Sequence, residues 1–304
     1  MRQIDATGDA RSPILLIGAD GQIGWELRRT LAPLGDVRPA TRSGRRGHAL
    51  DLSDVDSIRS LIKDLKPRLI VNAAAYTAVD RAEADIEMAR RVNAVAPGVI
   101  GEEARGIGAS VIHFSTDYVF SGESARPYLE SDEPAPASSY GETKLAGETA
   151  LLETGADAAI FRTSWVYGLR GSNFLLTMRR LMRERPELRV VHDQIGAPTW
   201  SRMIAEGIGQ VAAQLSREGV GFGERRGIYH MTSAGETSWH GFAEAIRDSG
   251  GVECRIDPVA TSEYPTAARR PAYSLLNGDK LAECYGIRLP HWLTALKLCM
   301  EDGG

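Results

Sequence analysis

The chain has 304 residues, of which 43% are hydrophobic and 25% are charged, and its formal net charge at pH 7 is −4. This composition is ordinary for a soluble globular protein and excludes an intrinsically disordered chain. The nearly balanced charge gives no electrostatic basis for a nucleic-acid partner, and no apolar run approaches the roughly 20 residues that a membrane span needs.

The two ends of the chain carry little chemical information. Residues 1–12 are polar and mixed in charge, so we predict a flexible leader rather than a signal peptide. Three cysteines, Cys254, Cys284 and Cys299, lie near the other end. Their odd number and their spacing match neither a disulfide framework nor a metal site. We therefore expect reduced thiols in a cytoplasmic protein.

Short apolar runs alternate with segments of helical periodicity over the first half of the chain. Strands are predicted over residues 13–17, 37–40, 68–72, 110–115 and 158–162. Helices are predicted over residues 23–31, 55–65, about 80–105, 140–153 and about 202–215. This alternation predicts an α/β fold, a Rossmann-type doubly wound parallel sheet with helices on both faces.

The alternation loosens after residue 162, where aromatic, Pro and Gly residues become frequent. We predict an NAD(P)-binding Rossmann domain formed by residues 13–162 and about 200–220. A smaller, mixed substrate-binding lobe is predicted from residues 163–199 and about 221–304.

Three glycines, Gly18, Gly21 and Gly24, follow the first predicted strand and open the first predicted helix. Glycines at this place allow a phosphate to approach the backbone and its N–H groups closely, so the loop predicts a dinucleotide site. A plain tight turn is the structural alternative.

The ends of the next strands supply further candidates for the cofactor site. The second strand runs into Arg42 and Ser43, whose guanidinium and hydroxyl suit a ribose 2′-phosphate, so we favour NADPH. A solvated basic loop is the alternative. Small residues follow the predicted strand 68–72 and would let a cofactor lie against the sheet edge, or equally reflect tight helix packing, namely Ala73, Ala74 and Ala75.

Tyr140 and Lys144 lie four residues apart in a predicted helix and hence on one face of it. A nearby ammonium group is expected to lower the pKa of a tyrosine, which is ordinarily near 10. Tyr140 can then donate a proton to a carbonyl oxygen as a hydride reaches the carbon. Thr116, at the end of the preceding strand, is expected to polarise the same carbonyl. The alternative is a surface helix with an ordinary lysine.

A glycine loop, a hydroxyl residue at a strand end and Tyr-x-x-x-Lys occur here in the order typical of extended short-chain dehydrogenases/reductases. Within that superfamily, the chain resembles the dTDP-4-dehydrorhamnose reductases. The similar blocks are residues 21–27, 72–80, 115–120, 140–148, 162–167, 193–199 and 264–271. The resemblance covers about residues 14–296.

The resemblance implies a reduction by NADPH, with NADH also accepted, of the 4-keto group of dTDP-4-dehydro-L-rhamnose. This reaction is the last step of dTDP-L-rhamnose synthesis. The resemblance implies that Thr116, Tyr140 and Lys144 are catalytic. The implied cofactor contacts are Gly21, Gln22, Ile23, Asp51, Leu52, Ala75, Tyr76, Thr77, Tyr140 and Lys144. The implied sugar contacts are Thr116, Asp117 and Trp165, with Tyr118 lining the same pocket.

Several residues have weaker assignments. Arg269 and Arg270 are either cations for the substrate diphosphate or a solvated surface pair. Gln194, Pro198 and Thr199 are expected to shape the nucleotide-sugar cleft. Some family members dimerise through Mg²⁺, and Glu26 matches one of their acidic ligands. A glutamate in the first turn of a helix more often serves the helix dipole, so we predict no metal site and either a monomer or a homodimer.

Two rival interpretations remain. A nucleotide-sugar epimerase or dehydratase of the same superfamily would also contain Thr116, Tyr140 and Lys144 but would regenerate its NAD⁺ within each cycle. A non-catalytic regulatory subunit, like that of methionine adenosyltransferase, would have no need of the proton donor.

Overall fold

The structure is a computed structural model that describes residues 12–218 and 221–303; the leader predicted over residues 1–12 falls almost entirely outside them. A seven-stranded sheet forms its centre. In chain order its strands are β1 (Ile14–Ile17), β2 (Val37–Thr41), β3 (His48–Ala49), β4 (Leu69–Asn72), β5 (Ser110–Thr116), β6 (Asp157–Thr163) and, later in the chain, β11 (Gly227–His230).

The strands lie in the order β11-β6-β5-β4-β1-β2-β3, and every neighbouring pair is parallel. The order reverses beside β1, so the carboxyl ends of β1 and β4 border the crevice in which such sheets bind ligands. The predicted Rossmann-type α/β fold is confirmed.

Helices cover both faces of this sheet and connect its strands. The helices that follow the strands in the first part of the chain are α1 (Gln22–Thr30), α2 (Val55–Leu65), α3 (Val79–Ala84), α4 (Ile86–Arg90), α5 (Ala96–Ile107) and α6 (Ser139–Glu153). The later helices are α7 (Phe174–Glu184), α8 (Ser201–Glu218), α9 (Trp239–Gly250), α10 (Asp279–Tyr285) and α11 (Trp292–Asp302). One buried cluster lies on each face of the sheet, around Leu16 and Ile204 on one side and around Leu15 and Ile100 on the other.

Local sequence signals explain where α2 begins and ends. The side chain of Asp54 accepts hydrogen bonds from the backbone N–H groups of Asp56 and Ser57, which caps the first turn. Lys66 adopts a left-handed backbone conformation with φ of 44°, and Pro67 follows it. A proline disfavours the helical conformation of the residue that precedes it, so the helix ends where the sequence predicts.

The single helix predicted over residues 80–105 is wrong, because the chain forms α3, α4, a π-helical segment (Arg91–Val95) and α5 there. Asp85 leaves the helical conformation between α3 and α4. Pro97 has no N–H to donate to Asn93 four residues earlier, and the neighbouring Ala96 donates to Arg91 five residues earlier. The periodicity of the apolar residues does not show this local change of pitch.

Residues between β6 and the C-terminus form smaller ladders and a separate buried cluster. The strands are β7 (Val166–Tyr167), β8 (Glu187–Val191), β9 (Ile195–Gly196), β10 (Thr199–Trp200), β12 (Thr237–Ser238) and β13 (Arg255–Val259). Two of their ladders are parallel and one is antiparallel, as expected for a mixed lobe. Phe242, Trp292 and Leu296 belong to the buried cluster of this region.

The assignment of the whole stretch 221–304 to the smaller lobe is wrong for β11, which pairs with β6 at the edge of the main sheet. Leu281 and Tyr285 of α10 also pack in the core of the main sheet. Four residues of an edge strand give too weak a periodicity to be distinguished from a loop. No helix in the described part of the chain is long and apolar enough to cross a membrane.

Candidate active site

The glycine loop connects β1 to α1 and packs directly against the end of β4. Gly18 has a φ of 80°, and a side chain there would collide with the backbone of Ala73 and Ala74. A side chain at Gly24 would collide with the carbonyl oxygen of Gly18. These two glycines are therefore required for the tight approach of strand, loop and helix.

The first turn of α1 is suited to an anion. Gly21 is its N-cap and provides no side-chain cap, and the first turn contains no acidic residue. The N–H groups of this turn and the positive end of the helix dipole are thus available to a phosphate. Gln22 is held by the side chain of Asn173, whose Nδ2 lies 2.8 Å from Gln22 Oε1. Ile23, next to it, packs against the core of the main sheet.

Arg42 and Ser43 follow the end of β2 and are exposed. The exposed Asp51 accepts hydrogen bonds from the N–H and hydroxyl of Ser53, at 2.9 and 2.8 Å. These bonds lower the pKa of Asp51, and the charge of Arg42 contributes in the same direction. Leu52 is buried beneath this edge in the core. The structure therefore places a guanidinium and a carboxylate together near the end of the second strand.

The residues that follow β4 form the next wall of the crevice. Ala73 and Ala74 pack against opposite faces of the sheet, and Ala75 and Thr77 continue the same segment. Tyr76 is anchored through its backbone, because its N–H donates to Asn93 Oδ1 at 2.8 Å and its carbonyl accepts from Asn93 Nδ2 at 3.1 Å.

Asn93 is a functional candidate that the sequence analysis missed. It lies in the π-helical segment, is buried, and also donates to Thr143 Oγ1 of α6 at 3.2 Å. It therefore links the predicted cofactor wall at Tyr76 to the helix that carries Tyr140 and Lys144. No spacing signal within the chain points to it, since its partners are 17 and 50 residues away.

Thr116, Asp117 and Tyr118 form the turn that follows β5. Thr116 Oγ1 donates to Asp117 Oδ1 at 2.9 Å and accepts from the N–H of Tyr118 at 3.2 Å. Asp117 is only 2% exposed. Burial raises the pKa of Asp117 to about 6, and hydrogen bonds from Ser274 and Thr116 partly oppose this increase.

Tyr140 lies in the first turn of α6, which is capped by Ser138. Its hydroxyl lies close to the side chain of Thr116, and its ring meets that of Tyr118 edge-to-face at 5.5 Å. Burial raises the pKa of Tyr140 above its ordinary value, with the charge of Asp117 acting in the same direction. The expectation of a lowered pKa is therefore wrong for the tyrosine in this arrangement.

The position of Lys144 explains why its charge does not lower the pKa of Tyr140. Its side chain is 2% exposed, and Nζ donates to the carbonyl oxygen of Phe114 at 2.7 Å. Nζ also lies 3.3 Å from Nε2 of His113. Burial lowers the pKa of Lys144 to about 8, although the charge of Glu148 opposes this. The lysine shares a helix face with Tyr140, as predicted, but its Nζ is directed at β5.

Trp165 lies just past β6 with a φ of 46° and stacks on Trp239 at a ring separation of 3.6 Å. The indole N–H of Trp239 donates to Gln194 Oε1 at 3.2 Å, and Gln194 Nε2 donates to Thr261 Oγ1 at 3.0 Å. Trp239, which begins α9, was missed because it lies outside the sequence blocks that resemble the reductase family. The stacked pair joins the end of β6 to the smaller lobe.

The three residues predicted to shape the nucleotide-sugar cleft differ in their positions: Pro198 and Thr199 lie in the interior, and Gln194 lies beside Trp165. Pro198 is buried, and Thr199 is fully buried with its hydroxyl bonded to Ala197 and Ser233. The expectation that Thr199 shapes a cleft is thus wrong, because its side chain holds two loops together. Gln194, in contrast, contacts Trp239 beside Trp165.

The two arginines of the segment 264–271 have different environments. Arg269 pairs with Glu123 at 2.8 Å on the surface, as the solvated alternative predicts. Arg270 is mostly buried, pairs with Asp80 at 2.6 Å, and lies 3.3 Å from the hydroxyl of Tyr118. Of the two arginines, Arg270 is therefore the one that the fold brings beside Tyr118.

Glu26 lies beyond the first turn of α1, so the proposed role at the helix dipole is wrong. It forms ion pairs with Arg29 and, at 3.3 Å, with Arg202 of α8. Within residues 12–218 and 221–303, no group of three or more His, Cys, Asp or Glu side chains is arranged to hold a metal ion.

The chain can now be compared with known proteins. Residues 12–303 match the family described as the RmlD substrate binding domain. A dTDP-4-dehydrorhamnose reductase from Burkholderia thailandensis is 48% identical over 297 residues, covering 95% of this chain and 98% of the relative. The corresponding enzyme from Escherichia coli K12 is 42% identical over 300 residues, covering 95% and 97%.

The chain belongs to the dTDP-4-dehydrorhamnose reductase family.

Solved structures agree with this family membership. A Bacillus anthracis dTDP-4-dehydrorhamnose reductase in complex with NADP superposes with a TM-score of 0.88 at 33% identity, covering 96% of this chain and 99% of that one. A UDP-glucose 4-epimerase from Thermus thermophilus superposes with a TM-score of 0.79 at 18% identity, covering 95% and 98%. The similarity to the epimerase shows only that this enzyme and the reductase family share a fold.

Proposed function

We propose that this member of the dTDP-4-dehydrorhamnose reductase family reduces the 4-keto group of dTDP-4-dehydro-L-rhamnose with NADPH. The product is dTDP-L-rhamnose. The observation that carries the proposal is that Thr116 and Tyr140 lie together at the carboxyl edge of the sheet that carries the glycine loop, with Lys144 one turn further along α6 and bonded to Phe114 of β5. The family and the close relatives support the same substrate.

The residues of the first crevice wall fit a dinucleotide. The uncapped first turn of α1, at Gly21, Gln22 and Ile23, would hold the diphosphate through backbone N–H groups. Arg42 and Ser43 would bind the ribose 2′-phosphate of NADPH, and Asp51 and Leu52 would border the adenine. NADPH, when bound, supplies the hydride for the keto carbon.

Tyr140 supplies the proton for the keto oxygen in this proposal. Its raised pKa keeps the hydroxyl protonated at neutral pH, which is the form that a proton donor needs. Thr116 lies beside this hydroxyl and would polarise the same carbonyl by turning its single hydroxyl proton from Asp117 Oδ1 to the keto oxygen. Lys144, as an ammonium group below its pKa of about 8, places a positive charge beside the region where negative charge develops.

The sugar would lie between the turn after β5 and the end of β6. Asp117 provides a hydrogen-bond acceptor for a sugar hydroxyl, and Tyr118 lines the same pocket with its hydroxyl near Arg270. The indole of Trp165, held by stacking on Trp239, offers an apolar face to the deoxysugar.

The test is an assay of NADPH oxidation at 340 nm with enzymatically prepared dTDP-4-dehydro-L-rhamnose, repeated with NADH. We expect one NADPH consumed for each dTDP-L-rhamnose formed, and a slower reaction with NADH. Tight NADPH binding with no oxidation would contradict the proposal and favour a non-catalytic subunit. Turnover without net oxidation would favour an epimerase.

A further inference from the structure

His113 is a buried titratable residue that the proposed reaction leaves without a role. It lies in the middle of β5 and is 1% exposed. Its ring is placed between Asn72 at the end of β4 and Lys144 on α6. Nδ1 lies 3.1 Å from Asn72 Nδ2, and Nε2 lies 3.3 Å from Lys144 Nζ. The three side chains form one buried row of polar groups that ends at the candidate active site.

The hydrogen bonds of Asn72 determine which ring nitrogen of His113 carries the proton. Asn72 Oδ1 accepts from the backbone N–H of Ala74 at 3.2 Å, which fixes the orientation of the amide. The amide nitrogen therefore faces His113 Nδ1 and donates to it. Nδ1 is consequently the acceptor, and in a neutral ring the proton lies on Nε2.

The Nε2–H group of this tautomer points at the amine of Lys144. An ammonium group has three N–H donors and no acceptor, so a second donor opposite it is unfavourable. A neutral amine has a lone pair that can accept from Nε2–H while one of its own N–H groups donates to Phe114 O. The polar groups of the Asn72, His113 and Lys144 side chains are thus all hydrogen-bonded when Lys144 is uncharged.

We propose that His113 is a positioning residue for Lys144, fixed as the Nε2–H tautomer by Asn72, so that it holds the lysine side chain in place and favours its uncharged amine. The inference deepens and rests on the proposed function, because it makes the charge of Lys144, one turn along α6 from Tyr140, dependent on pH near neutrality. Burial lowers the pKa of His113 well below its ordinary value, with the charge of Lys144 acting in the same direction, so the imidazole itself stays neutral.

The surrounding charges do not provide an alternative explanation. On α6 itself, the charge of Glu148 favours the ammonium form of Lys144 but is paired with Arg162 of β6. The other titratable groups on the packed elements include Tyr140, Asp117 and Tyr118, and the exposed side chains of Glu142, Glu83, Glu87, Arg90 and Arg91. None of these contributes to the shift of the Lys144 pKa. Among these neighbours, His113 is the group whose ring N–H is directed at Nζ.

The first test is ¹⁵N NMR of the six histidine rings in the full-length protein without substrate. We expect His113 to show an unprotonated Nδ1 and a protonated Nε2 throughout pH 6–9. Its ring shifts should change with an inflection near the pKa of Lys144, about 8, which disappears in Lys144→Met. A protonated Nδ1, or an inflection that persists in Lys144→Met, would overturn the proposal whatever the substrate of the enzyme is.

The second test compares pH profiles of kcat for His113→Asn and the native enzyme. Asparagine keeps an acceptor near the position of Nδ1 for Asn72 but has no group at the position of Nε2. Without the opposing donor, the pKa of Lys144 rises, and the alkaline loss of activity should move upward by about one pH unit. A purely structural role would lower kcat equally at all pH values.

A matched control is His230→Asn, which removes another buried imidazole of the same sheet. It should leave the position of the alkaline limb unchanged. An unshifted limb in His113→Asn would contradict the proposal. If that variant does not fold, the tautomer measurement on the native chain still decides. Neither NMR result depends on dTDP-4-dehydro-L-rhamnose being the substrate, so failure of this inference is distinguishable from failure of the proposed function.

Discussion

At the scale of single residues, the hydroxyl of Tyr140 is the group on which the proposed proton transfer depends. Tyr140→Phe keeps the ring packed against Tyr118 but removes the donor. We expect kcat to fall by about 10²–10⁴, the usual contribution of a general acid. NADPH binding, measured by fluorescence titration, should be nearly unchanged.

A matched control for this substitution is Tyr128→Phe. The Tyr128 hydroxyl accepts from three backbone N–H groups of a loop, at 3.0 to 3.1 Å, and so serves the structure. Its loss should lower the free energy of unfolding with a much smaller effect on kcat. Unchanged turnover in Tyr140→Phe would remove Tyr140 from its assigned role.

Asp117 should make folding stability depend on pH. Its pKa in the folded protein, about 6, lies above the ordinary value of 3.8, so the folded state binds the proton more tightly. This contribution to stability is complete below the unfolded pKa and is lost as the pH rises through 6. Between pH 5 and pH 7.5, Asp117→Asn should gain roughly 1 kcal/mol of unfolding free energy relative to the native protein.

Urea denaturation of both proteins at the two pH values measures this difference. The quantity of interest is the change with pH, because the amide also alters the local hydrogen bonds by an amount that is independent of pH. A difference that stays constant from pH 5 to pH 7.5 would show that the carboxyl group of Asp117 titrates normally.

The sequence predicts residues of the site well where they lie at strand ends or at helical spacing. Thr116, Tyr140 and Lys144 follow from position and spacing, and the structure brings Thr116 close to Tyr140 and keeps Lys144 on the same helix. Asn93 and Trp239 do not, because each acts through partners that are distant in the chain. The direction of the Lys144 side chain was also beyond sequence reasoning, since it depends on the carbonyl and imidazole that β5 presents.

At the scale of elements, a buried ion pair joins α6 to β6. Glu148 and Arg162 form two hydrogen bonds, at 2.9 and 2.6 Å, and each side chain is at most 2% exposed. Breaking such a pair leaves one charge buried and unpaired. We expect Glu148→Gln to lower the unfolding free energy by about 3–5 kcal/mol.

The matched control for the ion pair is the double variant Glu148→Leu with Arg162→Met, which removes both charges. Because apolar residues replace both ions, most of the lost stability should return. Thermal or urea unfolding of the native protein and the two variants measures the difference in stability. A double variant that is less stable than Glu148→Gln alone would contradict this account.

The close packing of α6 on the π-helical segment depends on Gly147. A Cβ atom there would collide with the carbonyl oxygen of Asn93, the same carbonyl that Pro97 cannot engage. Gly147→Ala should therefore lower the unfolding free energy by about 1–3 kcal/mol and reduce kcat, because α6 carries Tyr140 and Lys144.

Gly106→Ala is the matched control for Gly147→Ala. Gly106 lies near the end of α5, and an added Cβ would meet nothing within 4 Å. Alanine there should raise the unfolding free energy by about 0.4–1 kcal/mol by restricting the unfolded chain. Equal effects of the two substitutions would show that the contact with Asn93 carries no strain.

Element prediction succeeded where one periodicity extends between clear stop signals. The helix of residues 55–65 has a capping aspartate and a following proline, and the structure reproduces its bounds. The stretch 80–105 has continuous helical periodicity, yet a proline and the bend at Asp85 divide it. The periodicity of apolar residues shows which face of a helix is buried, but it does not show whether the backbone hydrogen bonds span four residues or five.

At the scale of the whole molecule, the parallel sheet brings distant segments of the chain to one edge. The glycine loop is about a hundred residues from the turn after β5, and this turn is about twenty residues from the start of α6. The three segments meet because parallel strands share their carboxyl ends. Alternating strands and helices were enough to predict this architecture. The position of β11 was not predictable, because its pairing with β6 is decided by packing across the chain.

In the proposed reaction, a hydride reaches the keto carbon C4 of the sugar and remains there. The most direct measurement uses NADPH carrying deuterium at both C4 positions of the nicotinamide, with dTDP-4-dehydro-L-rhamnose as substrate and NMR of the isolated product. We expect dTDP-L-rhamnose with one deuterium at C4, formed in a one-to-one ratio with the oxidised cofactor. Deuterium at another carbon, or turnover that leaves the cofactor reduced, would contradict it.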